Sequence, residues 1–284
     1  MQYNYKSINE LLTVHGIKMS KSMGQNFLVD ANIPRKIVEG AGISGSSGVL
    51  EVGPGLGALT NELVSKVNHV TAVELDKRLI PILQNIFTDT ENVTIVQGDI
   101  LKLDIKNLVE KTMPGLTLHV CANLPYNITT PAVTAFIESE IFTSVTVMIQ
   151  KEVAQRICAK PGSPEYGAFT VYANYHTIPR ILFDVPPECF TPRPKVISSV
   201  ICLKIKTDKY LNPEEEKLFF RIVRASFQQR RKTLVNSLYA SFASEYNKED
   251  IADIISKCGF DTKIRGEKLS PDEFIELSKH FNNL

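Results

Sequence analysis

The sequence predicts an α/β fold: a doubly wound, mostly parallel seven-stranded sheet with a small all-helical C-terminal domain. Three observations lead there. Between residues 49 and 150, short apolar runs alternate with helical-length stretches, the pattern of βαβ units feeding a parallel sheet. A glycine-rich segment, Glu51-Val-Gly53-Pro-Gly55-Leu-Gly57, follows the first of those runs and leads into the helical stretch Ala58 to Lys66. After Lys206 the strand signal stops and helical patterns take over. The expected division is 1–205 for the sheet domain and 206–284 for the helical domain.

The expected parallel strands are Val49 to Val52, Val70 to Leu75, Val93 to Val96, Leu118 to Ala122 and Val145 to Ile149. Each is short, rich in Val, Ile or Leu, and nearly continuous, as strands covered on both faces should be. Two more, Arg180 to Val185 and Val196 to Ile205, flank the loop PPECFTPRPKV instead of a helix, which predicts an antiparallel pair at one edge. In the helical domain, Asn212-Pro213 followed by Glu214, Glu215 and Glu216 reads as a helix start, with carboxylates facing the positive end of the dipole. Further helices are expected from Lys248 to Cys258, ending at Gly259, and from Ser270-Pro271 to Phe281.

The chain of 284 residues is 43% hydrophobic and 22% charged, which excludes disorder and small disulfide scaffolds. Its net charge of +1 provides no global attraction to nucleic acid, so any such binding must come from local clustering. Cys121, Cys158, Cys189, Cys202 and Cys258 match neither a disulfide framework nor paired zinc-ligand spacing, and read as reduced thiols of a cytoplasmic protein. Histidines 15, 69, 119, 176 and 280 are scattered, so no metal site is expected. No apolar run reaches the roughly 18 residues of a membrane span, and MQYNYKSINELL lacks the features of a signal peptide.

Gly53 and Gly55 allow a tight strand-to-helix turn and let a ligand approach the main chain beside a helix N-terminus. Glu74 closes the next strand, about 20 residues further on, where an acid can accept hydrogen bonds from both ribose hydroxyls of a nucleotide cofactor. Taken alone, this pattern also fits a nicotinamide dinucleotide, because Gly53-x-Gly55-x-x-Ala58 satisfies that fingerprint too. Asp99 ends the third strand, at the rim where an adenine amine would lie. The fourth strand runs into Asn123-Leu124-Pro125-Tyr126, beside the expected ligand crevice.

Asn-Leu-Pro-Tyr in that position resembles the adenine-N6 methyltransferases that use S-adenosylmethionine. Throughout its length the chain is similar to the small-subunit ribosomal RNA adenine dimethyltransferase family. The matching stretches are GQNFLVD (24–30), LEVGPGLGALT (50–60), VELD (73–76), QGD (97–99), NLPYNITTP (123–131), QKEVAQR (150–156), FTPRPKV (190–196) and FQQRRKTLVNSL (227–238). The resemblance implies a class I, Rossmann-like methyltransferase fold. It also implies N6,N6-dimethylation of two adjacent adenosines in the 3′-terminal hairpin of small-subunit (16S) rRNA, by a monomer acting on a pre-ribosomal particle. Asn26 and Leu28 match positions that touch the methionine part of the cofactor in relatives. Asn123 and the carbonyl of Leu124 would accept the two hydrogens of the target amine. Pro125 would fix the loop, and Tyr126 would offer a stacking face to the extruded base. Phe190 reads as an ordinary core aromatic by composition and, by resemblance, as the second jaw of a base clamp.

A local basic patch exists. Lys217 to Ser244 holds no acidic residue, and on one continuous helix Arg221, Arg224, Gln228, Arg231 and Lys232 would share a face opposite Phe219, Ile222 and Val223. A solvated charged face is the ordinary origin of such a stripe, but the lack of interspersed Asp or Glu favours phosphate contact. Lys18 and Lys21 in the N-terminal arm would add to it. The competing functions are a large-subunit (23S) adenine methyltransferase conferring antibiotic resistance, a non-catalytic RNA-binding assembly factor, and a nicotinamide oxidoreductase. FQQRRKTLVNSL and Leu124 favour the small-subunit enzyme over the first, intact NLPY argues against the second, and the third lacks an evident hydride-transfer site.

Overall fold

Seven strands lie in the order β4-β3-β2-β5-β6-β9-β7 in a computed structural model that describes residues 5–17, 24–43, 45–208 and 210–282. In chain order the first elements are α1 (Tyr5–Val14), β1 (Phe27–Leu28), α2 (Asn32–Ala41), β2 (Ser47–Val52), α3 (Ala58–Val64), β3 (His69–Glu74), α4 (Ile80–Ile86) and β4 (Val93–Gln97). Then come α5 (Ile105–Thr112), β5 (Thr117–Asn123), α6 (Thr129–Glu138), β6 (Ser144–Gln150), α7 (Lys151–Ile157), α8 (Ala168–His176), β7 (Thr177–Val185), β8 (Phe190–Thr191) and β9 (Ser198–Ile205). The chain ends with α9 (Pro213–Gln228), α10 (Leu234–Phe242), α11 (Lys248–Lys257) and α12 (Pro271–Asn282).

The pairs β2 with β3, β3 with β4, β2 with β5, and β5 with β6 are parallel, and β9 runs antiparallel to β6. The seven expected strands are all present, each shifted by a few residues at most. Every residue of β2 is buried, as a central strand covered on both faces requires, whereas β4 at the edge is half-buried. The direction of travel reverses between β2 and β5: the chain steps outward to β3 and β4, then returns to the other side of β2. Ligands of open α/β sheets bind at such a switch point.

By internal contacts the chain forms two units, residues 1–154 with 180–205, and residues 155–179 with 206–284. The second unit therefore includes a segment that the sequence assigns to the sheet domain. Its side chains explain the difference: Tyr166, Val171 and Tyr175 are buried in one core with Phe219, Ile222, Leu238, Phe242 and Phe274, and Tyr166 Oη donates to the Leu269 carbonyl at 2.7 Å. A run of ordinary helix formers between two strands carries no mark of which core it will join.

α9 starts as its sequence predicts. Asn212 accepts from the amides of Glu214 and Glu215 at 3.0 and 3.1 Å, and Glu215 accepts from the Asn212 amide at 2.8 Å, a complete capping box. Asn212→Ala should therefore destabilise the helical unit by about 1 kcal/mol, read as an earlier midpoint in urea unfolding. An unchanged midpoint would show that tertiary packing alone fixes this terminus.

Candidate active site

A cavity of about 320 Å³ opens at the carboxyl ends of β2, β3, β4 and β5. Its wall includes Asn26, Leu28, Gly53, Gly55, Glu74, Asp99, Asn123, Leu124, Pro125 and Tyr126, so every cofactor residue read from the sequence lies on one pocket. Of the residues expected to handle the target base, only Phe190 lies elsewhere.

The glycine turn is left-handed at Gly53, Gly55 and Gly57, with φ of 70°, 62° and 85°. At Gly55 a side chain is excluded twice, by that φ and by the Phe27 ring, whose edge would lie 3.0 Å from an added Cβ. Glu74 fixes the turn in place. Its carboxylate accepts from the Gly55 amide at 3.1 Å and from the Asp76 amide at 2.8 Å. Burial pushes the Glu74 carboxyl above the ordinary range, and those two amides pull it back. Asp76, held by Arg78 and by Gln25 (2.9 Å), is drawn down to about 2, chiefly by its hydrogen bond from Arg78, although it does not line the cavity.

Asp99 is partly exposed at the pocket rim and accepts from the Leu101 amide at 3.1 Å. On the opposite wall, Asn123 Nδ2 donates to the Asn26 carbonyl at 3.3 Å, and Asn26 Nδ2 donates to the Gly24 carbonyl at 3.1 Å. That chain of amides orients Asn123: with its nitrogen engaged, its oxygen remains as the acceptor. Leu124 is buried and its amide donates to the Met148 carbonyl at 3.2 Å, which ties the loop to β6. The half-buried Tyr126 hydroxyl meets Ser198 Oγ at 2.7 Å.

The sequence reading missed Glu51. It lines the cavity at 1% exposure, and Thr60 Oγ1 donates to it at 2.7 Å. Burial raises its carboxyl to about 8, further supported by repulsion from Glu74 and opposed by hydrogen bonds from Thr60. The signal was available, because an acid inside an otherwise apolar central strand has to be accounted for.

Phe190 is 2% exposed, paired through β8 with Leu28, and packed in the core with Ile33, Val185 and Val200. The ordinary core reading describes it, and in this structure it presents no free face to a base. The β1–β8 pairing that buries it is only two residues long, too short to leave a sequence pattern.

The basic stripe also differs from expectation. α9 ends at Gln228, residues 229–233 turn, and α10 begins at Leu234, capped by Thr233, so no single helix carries the stripe. Arg221 donates to both oxygens of Glu245 and to the Ser241 carbonyl, with its guanidinium 4.0 Å from the centre of the Phe242 ring. The acid-free window stops one residue short of that partner. Arg224, Arg231 and Lys232 are exposed and take part in no ion pair among the described residues. Lys18 and Lys21 lie outside the described residues.

Among the described residues no cluster of His, Cys, Asp or Glu could hold a metal, and no helix is long and apolar enough to cross a membrane. The cavity does fit a nucleoside cofactor: its volume falls within the range of small-molecule sites, its main-chain turn leaves a side-chain-free approach, and a buried carboxylate stands beside that turn.

The family model described as ribosomal RNA adenine dimethylase matches residues 16–283. The chain is 44% identical to a ribosomal RNA small subunit methyltransferase A of Shouchella clausii, across 95% of this chain and 92% of that one. It is 42% identical to the protein so named in Clostridioides difficile, across 98% and 96%. Among solved structures it is similar to a dimethyladenosine transferase from Plasmodium falciparum, at 24% identity and a TM-score of 0.77, covering 90% of this chain and 98% of that one. It is also similar to the 23S rRNA methyltransferase ErmE, at 23% identity and a TM-score of 0.71, covering 90% and 99%. At those identities the two structural likenesses speak for the fold alone.

Glu51 makes stability depend on pH in a stated direction. Its folded value, about 8, exceeds the ordinary 4.5, so the folded state keeps a proton that the unfolded chain releases. The contribution is complete below pH 4.5 and is lost as pH rises toward 8, at up to about 1.4 kcal/mol per unit. Glu51→Gln keeps an acceptor for Thr60 and cannot ionise, so its urea midpoint between pH 5 and 8 should fall less steeply than that of the parent. Parallel curves would mean that Glu51 is already ionised in the fold.

Proposed function

The chain belongs to the ribosomal RNA adenine dimethylase family, and from that premise we propose that it dimethylates N6 of two adjacent adenosines in the 3′-terminal hairpin of small-subunit rRNA. It is an S-adenosylmethionine-dependent methyltransferase. The observation that carries the adenine-amine reading is the anchored Asn123 amide beside Leu124 at the cavity wall, and the small-subunit assignment is supported by the relatives named for that subunit. The oxidoreductase reading has no such feature to support it, and an assembly factor without activity would have no need of it.

When bound, the cofactor supplies an electrophilic methyl on a sulfonium. The chain's own residues would do the rest. Glu74 would accept the ribose hydroxyls on lone pairs not taken by Gly55 and Asp76, and Asp99 would accept from the adenine amine. Gly53 and Gly55 would let the ligand lie against the main chain, with Asn26 and Leu28 against its methionine part. An adenine amine is a weak nucleophile because its lone pair is delocalised into the ring. Asn123 Oδ1 and the Leu124 carbonyl would accept its two hydrogens, draw it toward tetrahedral geometry and direct the lone pair outward. Tyr126, its hydroxyl tied to Ser198, would present its ring to the extruded base. Once methylated, the cationic amine is acidic enough to release its proton to water, so no general base is needed.

The helical unit would dock the RNA of a pre-ribosomal particle, with the protein acting as a monomer. Arg224, Arg231 and Lys232, which take part in no ion pair among the described residues, suit phosphate contact; Arg221 serves the fold through Glu245.

Tritiated methyl transfer to unmethylated small and large ribosomal subunits tests the substrate: label should enter the small subunit as dimethyladenosine, and label confined to the large subunit would overturn the proposal. Two substitutions should separate the roles in the pocket. Asn123→Ala should lose about 10² to 10³ in turnover with cofactor affinity nearly intact, whereas Glu74→Ala should weaken cofactor binding by about 2 to 3 kcal/mol in calorimetry. The reverse pattern would exchange the two assignments. Changing Arg224, Arg231 and Lys232 together to Gln should lower the slope of log affinity for the particle against log salt by about 2 to 3, with cofactor affinity unchanged. An unaltered slope would mean a solvated face.

A further inference from the structure

Arg193 and Lys195 take no part in the site proposed for cofactor and base. The segment between β8 and β9, Pro192-Arg193-Pro194-Lys195-Val196-Ile197, is tied to the pocket wall at both ends. At its start, Thr191 and Phe190 pair with Phe27 and Leu28, which line the cavity. At its end, Ser198 Oγ meets the hydroxyl of Tyr126, and the Ile197 carbonyl accepts from the Lys151 amide at 2.9 Å. The segment is therefore joined at both ends to residues of the cavity wall, at its C-terminal end to Tyr126, the residue proposed to stack on the target base.

Its exposed residues are of two kinds. Arg193 and Lys195 are exposed and take part in no ion pair among the described residues. Asp184 on β7 is already committed: Lys151 Nζ donates to it at 2.5 Å and Ser199 Oγ at 2.6 Å, and the Lys151 hydrogen bond holds its carboxyl below the usual range. Val196 and Ile197 are 41% and 43% exposed, side by side, where a loop would ordinarily carry polar residues. Pro192 and Pro194 restrict the backbone around the two cations, so less entropy is lost when a ligand orders them. In a protein with net charge +1, attraction to phosphate has to come from local cations that no internal carboxylate offsets.

We propose that Arg193 and Lys195 grip the RNA backbone phosphates that flank the target adenosine, with Val196 and Ile197 supporting an adjacent nucleotide. These are positioning residues for the strand, not catalytic ones. The proposal rests on the RNA substrate proposed above and adds the contact that holds the strand at the reacting centre. Phosphate contacts fix register without reading sequence, and a base leaves its stack most readily when the backbone on either side is held.

The test uses the full chain with Arg193→Gln and Lys195→Gln combined, beside the charge-preserving pair Arg193→Lys and Lys195→Arg. Two quantities are measured: affinity for unmethylated small ribosomal subunits without cofactor, as a function of salt, and steady-state methyl transfer. The Gln pair should lower the salt slope by between about 1 and 2 units and raise KM for subunits about tenfold, while kcat at saturation and cofactor affinity stay near those of the parent. The charge-preserving pair should retain the parental slope. An unchanged slope in the Gln pair overturns the proposal, as does a fall in kcat or cofactor affinity with the slope intact, which would make the segment a support for the pocket. Failure of the parent to methylate small subunits would instead strike the functional reading, since the slope is measured by direct binding.

Discussion

The Glu74 carboxylate at the end of β3 accepts the amides of Gly55 and Asp76, and the shape of the pocket depends on those two bonds. One bond holds the left-handed glycine turn after β2 against the neighbouring strand. The other sets the start of the loop that leads to α4. Without a carboxylate there, the Gly55 and Asp76 amides would be left unmatched away from water, and the turn would be tied to β3 through the Gly53 amide and the Val73 carbonyl, at 2.9 Å. The remaining walls are built in the same manner: Asn123 is anchored through the Asn26 carbonyl, and Leu124 through Met148. The groups assigned to cofactor and base are thus positioned by main-chain contacts before any ligand arrives.

Much of this was legible in the sequence because the constraints are local. A strand buried on both faces is mostly apolar, so the strands could be read to within a few residues. Gly53 and Gly55 announce a turn that other residues cannot make, and Glu74 and Asn123 sit at strand ends where their spacing has chemical meaning. What escaped depends on contacts remote in sequence. The segment 155–179 joins the helical unit because Tyr166 and Tyr175 find their packing partners there. Arg221 is neutralised by Glu245, a residue 24 positions away that a window ending at Ser244 does not contain. Phe190 is buried by a two-residue pairing with β1, which no periodicity can reveal.

Charge is arranged with the same economy. The protein is nearly neutral overall, yet its cations differ in kind. Arg78, Lys151, Arg221 and Arg230 are tied to Asp76, Asp184, Glu245 and Glu267, and serve the fold. Arg193 and Lys195 in one unit, and Arg224, Arg231 and Lys232 in the other, have no such ties among the described residues. The distinction matters for RNA recognition, because only a cation without an internal carboxylate gains fully from displacing counterions off phosphate.

The Glu74-braced turn is proposed as the cofactor seat. A crystal structure of the protein with S-adenosylhomocysteine tests it most directly. Both ribose hydroxyls should lie within hydrogen-bond distance of Glu74 while its bonds from Gly55 and Asp76 persist. A complex with the ribose elsewhere, or with Glu74 turned away from the turn, would contradict it.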